Sequence, residues 1–224
     1  MKTMRRTTTM NKRGKLFIIS GASATGKDTI INNVLKEHPD KAVLSVSMTT
    51  RNPRCGETDG VDYFFVTEEK FEENIRNDKM LEYARYGKNY YGTPVEPVER
   101  WLDEGKIVFL VIEVKGAALV RERCPEAKSV FVLPPSMEIL ESRLRSRGTE
   151  DEEAMKCRLE IAKDEISRAD EYDYIIVNDK LADAVNDVVT ICKYEQHCDD
   201  CDKIAAEKLK RCNMMSYISE VMKK

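Results

Sequence analysis

Long hydrophobic runs are missing from this 224-residue chain. The longest, residues 107–112, falls far short of the roughly 20 apolar residues a membrane helix needs, so no membrane partner is expected. An excess of one charge is missing too. Lys and Arg number 37 against 40 Asp and Glu, a net charge of −3, and nothing electrostatic calls for a nucleic-acid partner. Seven scattered cysteines are an odd count that forms no disulfide framework, which points to a reducing cytoplasm. The basic, apolar, small-residue order of a secretory signal is absent from the opening stretch. Acids are absent there as well: Lys2, Arg5, Arg6, Lys12 and Arg13 surround a threonine run. Residues 1–13 are read as a disordered basic tail, since the stretch lacks the amphipathic pattern of an organelle-targeting sequence. No internal repeat or low-complexity block is visible.

What is present suits one sizeable α/β domain able to bury a core. Lys15–Ser20 (KLFIIS) reads as a buried strand followed at once by a glycine-bearing turn. From Lys27 a helix pattern begins, with Ile30, Ile31, Val34 and Leu35 on one face and Pro39 as its stop. Further buried strands are expected at 107–113, 128–133 and 172–177, each beside a helical pattern, as a parallel sheet with helices on both faces requires. Residues 45–95, rich in Gly, Tyr and Arg, read as a small β-rich insertion. Residues 136–168 read as two charged helices around Gly148, the second opening on a Thr149/Glu152 capping box and carrying an apolar stripe of Met155, Leu159, Ala162 and Ile166. The core is thus assigned to 14–44, 96–135 and 169–192.

Gly21, Ala22, Ser23, Ala24, Thr25, Gly26 and Lys27 match the phosphate-loop pattern G-x-x-x-x-G-K. Consecutive backbone N–H groups must wrap phosphate oxygens there, which takes glycines where other residues are strained. The helix N-terminus adds positive potential, and the Lys27 ammonium reaches the outer phosphates. The next position, ordinarily Ser or Thr, is Asp28. Its carboxylate is the candidate Mg²⁺ ligand, hard oxygen suiting that ion. It would equally repel phosphate, and Thr29 is the alternative hydroxyl.

Further stretches follow in order: SVSMTTRNPRCGE at 45–57, GVDYFF at 60–65, NYYGT at 89–93, RLRSRGTE at 143–150 and IVND at 176–179. Together with the loop they resemble the guanylate kinase family across roughly residues 14–192. The resemblance implies a P-loop NTPase-like fold with a GMP-binding lobe (45–95) and a helical lid (136–168), and Mg²⁺-dependent phosphoryl transfer from ATP to GMP or dGMP in purine metabolism. It implies that Arg51 and Arg54 fork onto the acceptor phosphate beside Tyr63 and Tyr91. It makes Glu82 the reader of guanine's N1–H and N2 amino groups, with Ser47, Thr93 and Glu113 beside it. Asn178 is placed near adenine, and Arg143, Arg147 and Arg158 are lid arginines over the transferring group. Val111 and Lys115 depart from the family pattern, where a carboxylate and a neutral amide are common. A carboxylate missing at Val111 is expected to reappear as Asp28.

The alternatives are a non-catalytic binding module on the same scaffold and a kinase with another phosphorylated acceptor. Residues 193–224 extend past the resemblance. They are read as a helix packing Ile204, Leu209, Met215 and Ile218 on the core or on a second copy in a homodimer. The Cys198–Cys201 pair with His197 and Cys212 is a weak zinc signal.

Overall fold

The computed structural model describes residues 13–146, 152–198 and 201–222. The basic tail 1–12, and Arg147, Gly148 and Thr149 of the expected lid, lie outside the described residues. In chain order the elements are β1 (Lys15–Ser20), α1 (Lys27–Glu37), β2 (Ala42–Leu44), β3 (Met48–Thr49) and β4 (Phe64–Phe65). Next come α2 (Glu68–Arg76), β5 (Met80–Tyr86), β6 (Asn89–Pro94), α3 (Val95–Asp103), β7 (Ile107–Val111) and α4 (Val114–Arg123). β8 (Lys128–Leu133), α5 (Met137–Arg145), α6 (Glu152–Ser167), β9 (Tyr174–Val177), α7 (Leu181–Glu195), α8 (Lys203–Lys208) and α9 (Arg211–Met222) complete the chain.

Alternation in the strands builds two cores on one sheet. The order is β2-β7-β1-β8-β9, and every pairing in it is parallel. Leu16 and Ile18 of β1, Val108 and Leu110 of β7, and Phe131 and Leu133 of β8 face one side, against α3, α4, α5, α6 and α9. Phe17 and Ile19, Ile107 and Phe109, and Val130 and Val132 face the other, against α1 and α7. Successive side chains point to opposite faces, and both faces are covered, so each strand reads as a continuous apolar run.

Two strands are shorter than expected. β7 stops at Val111 because Glu113 takes the extended cap position before α4. β9 starts at Tyr174 because a 3₁₀ turn occupies Ala169–Glu171.

The polar stretch between β2 and α3 forms a second sheet of order β4-β3-β6-β5, with β3–β6 and β5–β6 antiparallel. It also holds α2, which a purely β-rich reading overlooks. The signal was local: the Thr67 side chain accepts from Lys70 N, and Glu68 and Glu69 sit in the first turn, where acids suit the helix dipole. Phe71 buries this helix by stacking on Tyr90, ring centroids 5.1 Å apart.

The C-terminal segment differs most from expectation. It forms two helices, not one, and the break at 209–210 resets the apolar phase. Ala206, Met214, Ile218 and Val221 are buried, while Ile204 is 73% and Met215 43% exposed. At the break the backbone lies along β9: Ile175 N donates to Leu209 O (2.9 Å), Arg211 N donates to Asp173 O (3.0 Å), and Tyr174 and Lys210 form an antiparallel bridge. Among the described residues no three His, Cys, Asp or Glu side chains cluster as a metal site.

Leu110 lies 1% exposed in the sheet's interior, where neighbours cannot collapse into a void. Leu110→Ala is expected to cost about 2–5 kcal/mol, read from the denaturation midpoint at unchanged m-value.

Candidate active site

Between β7 and β8, β1 lies where the sheet's connections diverge, the place at which open parallel sheets form ligand crevices. Its last residue, buried Ser20, donates from Oγ to Ile112 O (2.8 Å), tying the exits of β1 and β7. The loop then turns through Gly21 (φ 147°), Ala24 (φ 64°) and Gly26 (φ 89°). Both glycines are also required by space. A Cβ at Gly21 would stand 2.4 Å from Val132 O, and one at Gly26 2.4 Å from Asn178 Nδ2. Thr25 Oγ1 donates to Ala22 O (2.9 Å), and Lys27 Nζ donates to the carbonyls of Gly21 (2.6 Å) and Ala22 (3.0 Å). The ammonium therefore lies folded over the loop it serves.

Three cavities meet this loop. The first, about 430 Å³, opens between the two sheets and is lined by Lys27, Asp28, Ser47, Tyr63, Glu82 and Tyr91, with Val111 and Glu113 on the core side. Glu82 is 9% exposed, and fully buried Thr93 donates to its Oε1 at 2.7 Å. Thr93 thus orients the carboxylate and does not itself line the cavity. Burial pushes the Glu82 carboxyl above the ordinary range, Thr93 opposes this, and Glu113 adds to it. Oε2 faces Gly116, where a Cβ would approach to 3.1 Å.

Beside this cavity the Arg51 fork meets both oxygens of Glu57, at 2.8 and 2.9 Å. Its guanidinium lies 5.4 Å from the Tyr63 ring and 5.7 Å from that of Phe65. The pair raises the Arg51 pKa and holds Glu57 down to about 2, with a further bond from Arg54 N to Glu57 at 2.7 Å. Arg54 itself is exposed, and among the lining residues of the first cavity its side chain is absent.

The second cavity, about 720 Å³, lies between the loop, the start of α4 and α6, and is lined by Gly21, Ser23, Lys27, Lys115, Arg158 and Glu165 among others. Burial raises the Glu165 pKa, and Lys27 counters it. The third, about 280 Å³, is bounded by Ala24, Gly26, Thr29, Arg143 and Asn178. There Asn178 Nδ2 donates to Thr25 O (2.7 Å) and Arg143 Nη2 donates to Asn178 O (3.0 Å), while buried Arg143 Nη1 has no protein partner. Arg143 and Arg158, expected together on one lid, face different cavities. Asp28 and Thr29 also part company: Asp28 shares the first cavity with Val111, and Thr29 faces the third.

Sequence reasoning named neither Glu57 nor Tyr86 as site residues. Tyr86 carried a readable signal, because strand residues two apart share a face and Glu82, Ala84 and Tyr86 all line the first cavity. Glu57 carried none, since its pairing depends on how the turn folds.

The Glu57 pKa falls from 4.5 to about 2 on folding, so its stabilising contribution is complete above pH 4.5 and disappears as pH drops through about 2. The thermal midpoint of Glu57→Gln is expected below that of the parent at neutral pH. The gap should narrow as pH falls through this window, as calorimetry at stepped pH would record.

A family model described as guanylate kinase matches residues 13–195. The guanylate kinase of Oceanobacillus iheyensis is 49% identical over 186 residues, covering 83% of this chain and 90% of that protein. That of Lactococcus lactis subsp. lactis is 50% identical over 188 residues, covering 84% and 91%. Among solved structures, guanylate kinase from Anaplasma phagocytophilum superposes with a TM-score of 0.66 at 32% identity, over 89% of this chain and 94% of that one. Because the likeness runs unbroken through phosphate loop, inserted sheet and the helices that follow, the chain belongs to the guanylate kinase family.

Proposed function

We propose that this chain transfers the terminal phosphoryl group of ATP to GMP, giving ADP and GDP, as part of purine nucleotide supply in the cytoplasm. The observation that carries the reading is Glu82: a buried carboxylate, held through one oxygen by Thr93, in a cavity that Lys27 also lines. Guanine presents N1–H and the N2 amino group side by side, and one carboxylate accepts from both. Adenine has no such donor pair on that edge and would leave a buried acceptor unsatisfied.

In this reading residues 45–95 form the acceptor lobe and 136–168 the lid. Ser47 and Glu82 take the base, with Glu113 at the core side. Arg51, Arg54, Tyr63 and Tyr91 take the phosphate. The loop from Gly21 to Thr29 holds the donor phosphates, Asn178 and Arg143 flank the adenosine side, and Arg158 and Arg147 close over the transferring group.

The acceptor is already a phosphate oxygen anion, so no general base is required. Catalysis consists of alignment and charge neutralisation by Lys27 and the arginines. Mg²⁺ fits the donor set: Asp28 and Glu113 offer carboxylate oxygen in the cavity that Lys27 lines and would hold the ion, which would supply charge neutralisation for the phosphates. Asp28 lines the same cavity as Val111, in keeping with a carboxylate relocated from the strand.

A coupled ADP-release assay across GMP, dGMP, AMP and UMP tests the acceptor directly, and turnover is expected with the guanine nucleotides only. Lys27→Ala is expected to lower kcat by about 10²–10³-fold or more while GMP binding persists. Equal loss of both would contradict the division of roles. Glu82→Gln should cost about 10²-fold in kcat/KM for GMP. Because burial raises the Glu82 pKa, the parent's KM for GMP should climb at a higher pH than an ordinary carboxylate would dictate as the solution is acidified.

A further inference from the structure

Tyr86 has no role in the reaction as set out above, yet with Lys27 and Glu113 it lines both the acceptor cavity and the cavity beneath α6. Its hydroxyl donates to Oε2 of Glu113. Its ring meets that of Tyr91 edge-on, centroids 5.9 Å apart, and Tyr91 meets Tyr63 in the same manner at 6.0 Å. Tyr63 in turn carries the Arg51 guanidinium at 5.4 Å. A series of side-chain contacts therefore crosses the site from the phosphate-side arginine to the carboxylate at the exit of β7.

We propose that Tyr86 is a positioning residue for phosphoryl transfer, fixing the Glu113 carboxylate at the junction of the two cavities. The inference rests on the ATP–GMP reading of the site. Glu113 caps α4 through its backbone only, and its side chain makes no hydrogen bond to that helix. An exposed glutamate with three rotatable bonds needs an external tether to keep one orientation. Tyr86 supplies it, from the acceptor lobe.

Lys27 borders the same two cavities. A glutamate of unfixed orientation there would compete to a varying degree with the donor phosphates for that cation, since charge-assisted bonds are strong. It would also be free to turn toward Glu82, adding like charge to a carboxylate already strained by burial.

Tyr86→Phe keeps the ring against Tyr91 and deletes only the tether. It is expected to lower kcat about tenfold, the scale of one hydrogen bond to a charged group, with KM for GMP little changed and the thermal midpoint unmoved. Tyr86→Leu, which also removes the ring, should raise KM for GMP as well. The decisive arm is a double-mutant cycle. If Tyr86 acts through the carboxylate, Tyr86→Phe should have no further effect on kcat in a Glu113→Ala background. An equal tenfold loss in both backgrounds overturns the proposal, as does a Tyr86→Phe enzyme that matches the parent. A parent showing no GMP-dependent ADP release would overturn the functional reading and this inference together. An active parent with an unaffected Tyr86→Phe would overturn this inference alone.

Discussion

The amide of Asn178 donating to the carbonyl of Thr25 joins residues 153 positions apart and sets the shape of the crevice. Asn178 follows β9, two strands from β1, so this bond fixes the phosphate loop against the far side of the sheet. It places the Asn178 side-chain nitrogen where a Cβ at Gly26 would clash, while the backbone carbonyl of Asn178 accepts from Arg143. Buried amide and carbonyl satisfy one another, which makes the junction rigid without placing an uncompensated polar group in the core. The positive-φ loop and the folded-back lysine lie beside that point, and Asp28 and Thr29 part company because consecutive helix residues point in different directions.

Around this frame the site is a problem of holding charge. Lys27 rests on two carbonyls, Arg51 on Glu57, and Glu113 on a tyrosine hydroxyl. Each charged group has a protein partner that orients it and leaves donor or acceptor capacity for a ligand. Orientation settled in advance costs nothing at the moment of reaction, which is how positioned cations outperform mobile ones. Glu82 shows the complementary tactic: burial makes its charge costly, and one threonine bond offsets part of that cost.

The fold class was legible because its signals are local. Short continuous apolar runs beside helical stripes suit strands of a covered sheet better than helices, which need greater length, and G-x-x-x-x-G-K between a strand and a helix narrows the loop's purpose. The failures were also physical. α2 went unread because one buried aromatic, Phe71, anchors an otherwise charged helix. The C-terminal helices were misphased because the break at Leu209 follows from pairing with β9, an event no local pattern encodes. Tyr86 was within reach of strand periodicity from Glu82, whereas the separation of Arg143 from Arg158 required the three-dimensional arrangement of α5 and α6. Motif residues such as Ser47 and Tyr91 were named from resemblance, and their common cavity appears only once β3 and β6 pair.

Pairing of 209–211 with β9 has an implication for how the molecule is made. The outer side of β9 would otherwise present open backbone donors and acceptors, an invitation to pair with another chain. The segment that covers it emerges from the ribosome after every strand of the sheet. Until then the nascent domain carries a sticky border, and domains generally assemble from the N-terminal side as they are synthesised. Sealing by 209–211 therefore comes as a late step, and a chain stalled before it would have a complete nucleotide crevice and an unguarded flank.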